Sequence, residues 1–168
     1  MSKSARILIA GQAPGTRVHA SGKPFTDPSG DRLRNWMGID DEQFYDADRI
    51  AILPMGFCFP GLDAKGGDLP PRRECAPAWR EQVLQHLPNL RLTLVIGQYA
   101  QKWHLGAQME KTLTKTVANW RVYFERIDPP ILALPHPSWR NNVWLKKNPW
   151  FDRELVPHLQ SHVKQILQ

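Results

Sequence analysis

The sequence predicts an α/β protein: a three-layer α/β/α sandwich around a central, mainly parallel four-stranded sheet. Four short, almost wholly apolar runs mark the strands, and the stretches between them read as helices or long loops. A strand that is apolar on both faces needs cover on both sides, and alternating helices supply it in a parallel sheet.

The strands are Ile7–Ala10, Ile50–Leu53, Leu92–Ile96 and Ile131–Leu134, each short and bounded by loop residues. Helices are expected to open near Pro28 and Ser29, to run from Arg73 to His86, and to begin near Gln98. In the closing segment from Pro149 to Gln168, Leu155, Leu159, His162, Val163 and Ile166 recur at three- and four-residue spacing, which predicts an amphipathic helix laid on the sheet. Pro157 predicts a kink or a late start, because proline offers no amide to the preceding turn.

A chain of 168 residues with 42% hydrophobic content has room for a single core, so one domain over residues 1–168 is expected. No apolar run approaches the length of a signal core or a membrane span, so a soluble cytoplasmic protein without a membrane partner is expected. It is expected to work as a monomer. Lys and Arg outnumber Asp and Glu by 22 to 16, and the pI near 9.6 favours a polyanion such as DNA. Many soluble proteins are mildly basic, so charge alone decides nothing. Cys58 and Cys75 are too few and too far apart for a disulfide framework or a closed zinc site, and read as reduced core thiols. No metal and no cofactor is expected.

Three strands are followed by unusual loops: GQAPGTRVHASGKPFTDPSG, PMGFCFPGLDAKGGDLPPR and PHPSWRNN. In open α/β sheets ligands bind at the carboxyl ends of strands, so these loops should converge on one site. Gly11 and Gly15 permit a sharp turn and a close approach to a ligand, and Pro14 stiffens it. His136, fixed between Pro135 and Pro137, can be aimed at a reacting group. Either loop alone fits an ordinary structural turn as well.

Paired in this order, GQAPG after the first strand and HPS after the last resemble the two signature motifs of the uracil-DNA glycosylase superfamily. The likeness continues through GKPF, DPSG, the second-strand loop and LVIGQYA, and so covers most of the chain. It implies a uracil-DNA glycosylase-like fold and a DNA-repair activity: a deaminated base is flipped out of DNA, and its N-glycosidic bond is hydrolysed to leave an abasic site.

Phe25 stands where the superfamily places the ring that stacks on the flipped base. Breaking the bond builds positive charge on the sugar and negative charge on the base, so a carboxylate and a hydrogen-bond donor are needed. The resemblance gives His136 the donor role. It sets Gly11, Pro14, Gly15 and Ser138 against the DNA backbone, and Trp139 and Arg140 where relatives push a wedge into the duplex. Trp144, further along, reads as packed inward.

The carboxylate is harder to assign. Relatives carry an Asp at the position of Ala13 or a Glu at that of Gln12, and this chain has neither. Asp27 resembles the Asp in the FTGDxSG stretch of a thermophile-type family that also lacks the first-motif acid. It is equally a good N-cap for the helix that follows, and both readings stand. Asp31 belongs on the first turn of that helix, and His19 is a secondary candidate for water or phosphate.

Where many relatives read the pyrimidine edge with an Asn, this chain has Pro54. Reading of the base then falls to Gln12, Ala13, Asn141 or the backbone at Met55 and Gly56. Cys58 and Cys75 match only half of the cysteines that hold an iron-sulfur cluster in some relatives, so no cluster is expected. The alternative function is a noncatalytic DNA-binding or damage-sensing module of the same fold. A serine hydrolase built on Ser138 is disfavoured, because residues this close on one turn do not readily form a nucleophile-base pair.

Overall fold

Strand β1 (Ile7–Ala10) lies inside the sheet of the computed structural model, which describes residues 1–168. It pairs with β2 (Ile50–Ile52) on one side and β3 (Leu92–Ile96) on the other, and β4 (Ile131–Leu134) pairs with β3. All the pairings are parallel, and the strand order is β2-β1-β3-β4. The chain leaves β1 toward one edge and β3 toward the other. A crevice therefore opens between their carboxyl ends.

Alternation along each strand sends side chains to the two faces of the sheet. Ile7, Ile9, Leu92, Leu94, Leu132 and Leu134 face one side. They pack on α2 (Pro28–Met37), α3 (Asp41–Tyr45) and the closing helix α9 (Val156–Leu167). Ala10, Val95 and Ala133 face the other side, where α5 (Gln98–Leu105) and Tyr123 of α7 (Trp120–Arg126) cover them. Helices on both faces explain why the strands read as unbroken apolar runs.

Several elements differ from expectation in their bounds. β2 stops at Ile52, although the amide of Leu53 still reaches the Ile9 carbonyl at 2.9 Å. The helix expected from Arg73 begins at Ala76 as a wide turn through Arg80 and continues as α4 (Glu81–Leu84). A similar wide turn, Phe151–Leu155, precedes α9, and Pro157 falls in the first turn of α9. No late start results: helical backbone runs unbroken from Phe151 into α9, and the wide turn before Pro157 accommodates a residue with no amide to donate. The cysteines correct the reading of core thiols: both are free, but Cys58 is exposed and Cys75 only half-buried. No helix is long and apolar enough to cross a membrane.

One buried cation fixes the end of β2. Arg80 is fully buried and donates to the carbonyls of Leu53 and Pro54, each at 3.0 Å, and to Nε2 of His104 at 2.8 Å. Burial lowers the arginine to a pKa of about 10. Burial, then the arginine's own charge, lowers His104 to about 3, so its ring stays a neutral acceptor.

Candidate active site

The loops that follow the four strands enclose one cavity of about 770 Å³. Gly11 enters it from β1, Pro54 from β2, Gly97 from β3 and His136 from β4. This is the crevice that the strand order creates.

Phe25 is placed in the cavity by an unusual backbone. Its φ is 59°, a left-handed conformation that bulky residues rarely adopt. Its carbonyl accepts from the Arg34 guanidinium at 3.0 Å and lies 3.0 Å from the Tyr45 hydroxyl. Arg34 is buried and is itself held by Asp31 and Asp41, each at 2.6 Å. Burial raises the Tyr45 hydroxyl pKa, which keeps it protonated as a donor. The ring meets Phe44 edge-on at 5.9 Å, and its Cζ lies 3.9 Å from where a side chain on Gly11 would begin. Core packing thus fixes one side of the ring while another lines the cavity. Gly30 is the counterpart of this arrangement, because a β-carbon there would stand 1.8 Å from the Phe25 carbonyl oxygen.

The HPS turn fixes one protonation state of His136. The amide of Ser138 donates to Nδ1 at 3.2 Å, so Nδ1 is the acceptor and the proton of the neutral ring sits on Nε2. Asn141 donates from its side chain to the His136 carbonyl at 2.7 Å, and Arg32 donates to the Ser138 carbonyl at 3.2 Å. The ring is open to solvent through the cavity yet walled by protein on its other sides, and this desolvation lowers its pKa. Asp27 and Asp68 oppose the shift, and Arg140 adds to it.

Asp27 combines a bond to the backbone of α2 with a position in the cavity wall. It is the N-cap of α2, accepting from the Gly30 amide at 3.3 Å, and it also lines the cavity. Asp31 stands on the first turn of α2, as expected.

Gln12, Ala13 and Asn141 line the cavity, with Gly11, Pro14, Gly15, Ser138, Trp139 and Arg140. Met55 and Gly56 do not, which corrects their expected place at the base edge. Their amides donate to the carbonyls of Gly11 and Gln12, each at 2.9 Å, so they join the second loop to the first. Met55 is buried in the core, and a β-carbon on Gly56 would crowd Pro71 at 3.0 Å. Trp139 is 74% exposed at the mouth, whereas Trp144 packs against the core with its indole N–H donating to Thr114 at 2.9 Å. His19 stacks on Phe59 at 5.5 Å, outside the residues that line the cavity.

Residues 1–160 match the family model described as the uracil DNA glycosylase superfamily, a span that contains every residue lining the cavity. The chain belongs to the uracil DNA glycosylase superfamily. Membership supports a glycosylase-like function directed at DNA.

Within this superfamily member, sequence reading missed two features. The loop after β1 contains a short helix, α1 (Thr16–Ser21), none of whose residues is buried. Without a buried face it leaves no apolar period to detect. Asp68, from the loop after β2, also lines the cavity. A carboxylate in a strand-end loop was the available signal, but nothing local says that the loop folds back over Gly15.

Proposed function

We propose that this protein is a monofunctional DNA glycosylase that flips uracil or a related deaminated base out of DNA and hydrolyses its N-glycosidic bond. One observation carries the reading: an aromatic ring, a neutral imidazole and a carboxylate line the same cavity at the ends of the strands. These are the groups that this bond cleavage requires.

In the proposed reaction the flipped base stacks on Phe25, whose position is fixed before any ligand arrives, so little ordering remains to be done on binding. The Nε2 proton of His136 is donated to the oxyanion that develops on the departing base. A neutral donor suits this role because the base leaves as an anion and His136 need not transfer a proton. Asp27, anchored at the start of α2, faces the sugar and offsets its growing positive charge.

With no carboxylate at Gln12 or Ala13 and no Asn at Pro54, reading of the base falls to what remains of the polar groups. Gln12 has a side-chain N–H on the Leu69 carbonyl, and Asn141 has one on His136, which leaves their amide oxygens as acceptors. Arg17 and Arg140 at the cavity provide charge for phosphates, in line with the formal net charge of +6. Trp139 occupies the gap left by the flipped base.

The test uses single- and double-stranded oligonucleotides that carry uracil, hypoxanthine or xanthine, with strand scission by alkali as the readout for abasic sites. The proposal expects scission at one or more of these lesions. Lesion binding without scission at any of them would instead support a damage-sensing module.

A further inference from the structure

Asp68 brings a second carboxylate to the cavity, on a tightly closed hairpin. The amide of Asp63 donates to the Gly67 carbonyl at 2.8 Å and that of Leu69 to the Gly61 carbonyl at 3.0 Å, so Leu62 and Asp68 pair as an antiparallel bridge. The Asp63 side chain closes the tip by accepting from the amides of Lys65 and Gly67, at 2.8 and 2.9 Å. Those bonds hold the Asp63 carboxyl below the usual carboxylate range. Gln12 ties the hairpin to the first turn through its 3.3 Å bond to the Leu69 carbonyl.

The hairpin sets the Asp68 carboxylate over Gly15. Its Oδ2 stands 3.3 Å from where a β-carbon on that glycine would be, so the missing side chain is what leaves the carboxylate its place. Asp68 and Asp27 both lie close enough to His136 to favour its charged form.

The two carboxylates differ in what binds them. Asp27 accepts from a helix N-terminus and is fixed there. Asp68 is exposed, and its carboxylate enters no hydrogen bond or ion pair within the chain. An anchored anion can face a developing cation without moving. A carboxylate free of protein partners can hold a water molecule and take its proton.

We propose that Asp68 is the general base for the attacking water, with Asp27 left to stabilise the sugar cation. This assignment rests on the glycosylase reading above. The water oxygen bonds to C1′ as the C1′–N bond breaks, and the electron pair of that bond departs on the base, where His136 meets the oxyanion. The proton given up by water passes to Asp68 and then to solvent. The released base anion takes up a proton from solvent.

The experiment is single-turnover cleavage of a uracil-containing oligonucleotide by the full chain, from about pH 5 to about pH 9. The charged and titratable groups lining the cavity are Arg17, Asp27, Asp68, His136 and Arg140. Asp27→Asn is therefore profiled alongside Asp68→Asn. Asp68→Asn is expected to lower the maximal rate more than about tenfold across the whole range, leaving the acidic fall set by His136 in place and oligonucleotide affinity changed less than about twofold. Asp27→Asn should keep the same acidic fall, and Asp68→Glu should keep part of the rate that Asp68→Asn loses.

An activity-independent readout accompanies these. In an NMR titration the His136 ring should titrate at lower pH in Asp68→Asn, because an anion favouring the imidazolium is gone. An active wild-type protein whose Asp68→Asn variant stays within about twofold in rate, or slows without Asp68→Glu recovering any of the rate, overturns the assignment and leaves the glycosylase reading standing. A wild-type protein that releases no base overturns both.

Discussion

The Arg34 guanidinium donates to the Phe25 carbonyl at 3.0 Å and thereby holds the aromatic ring of the cavity in a left-handed backbone conformation. Arg34 touches no ligand in this account. It links the core side of α2 to the loop that presents the ring.

Two substitutions test this relationship. Gly30→Ala puts a methyl group 1.8 Å from the Phe25 carbonyl oxygen and must displace the loop. Arg34→Met removes the donor. Each is expected to destabilise the fold by about 2 kcal/mol, lowering Tm by roughly 4–8 °C, and to reduce base release more than about tenfold. Thermal unfolding and the scission assay check the two effects separately.

For His136 the expected dependence on pH follows from its neutral state. The Ser138 amide needs an unprotonated Nδ1, and burial has already lowered the pKa of the ring. The neutral form therefore dominates at neutral pH. Activity limited by this residue should be flat from neutral to mildly alkaline pH and fall only on acidification, when protonation removes the Ser138 bond. His136→Ala is expected to lower the maximal rate by about 10²-fold. A rate that rises on acidification below about pH 6 would contradict a neutral donor.

Acid should also weaken the fold itself. His104 is lowered to about 3, and burial lowers His158 and His162, whose Nε2 atoms are buried without partners. Each has a folded-state pKa below its unfolded value of about 6.5. Their neutral forms therefore contribute stability that is present above that pH and is lost as pH falls through the depressed folded values. Denaturant midpoints are expected to drop steadily on acidification below about pH 6.5, and His104→Gln should flatten the lower part of the curve.

Much of the fold was legible because its signals are local. The four strands appear as apolar runs, and α2 is announced by Asp27, Pro28 and Ser29, a cap followed by residues suited to a first turn. The site was legible only through its loops. Phe25 and His136 stand in short stretches that carry their own motif. The supports of Phe25, Arg34 and Tyr45, lie 9 and 20 residues away, and no spacing rule connects them. Asp68 is further still from Gly15, and its place depends on the hairpin closed by Asp63 and on Gln12. Met55 and Gly56 lie outside the cavity lining for a related reason: their amides belong to the contact between loops, which one loop's sequence does not reveal.

Trp139 should separate binding from stability. At 74% exposed it contributes little to the core, so Trp139→Ala is expected to leave Tm within about 2 °C of the parent. Its loss should weaken affinity for lesion duplex several-fold, and affect single-stranded substrate less, because only a duplex leaves a gap to fill. Fluorescence anisotropy with both substrates checks this.

The most direct measurement is a crystal structure of the Asp27→Asn protein bound to a uracil-containing duplex. The account predicts the uracil ring stacked on Phe25, with a base oxygen within hydrogen-bond distance of His136 Nε2. A duplex bound on another face, with the base still in its stack, would contradict it.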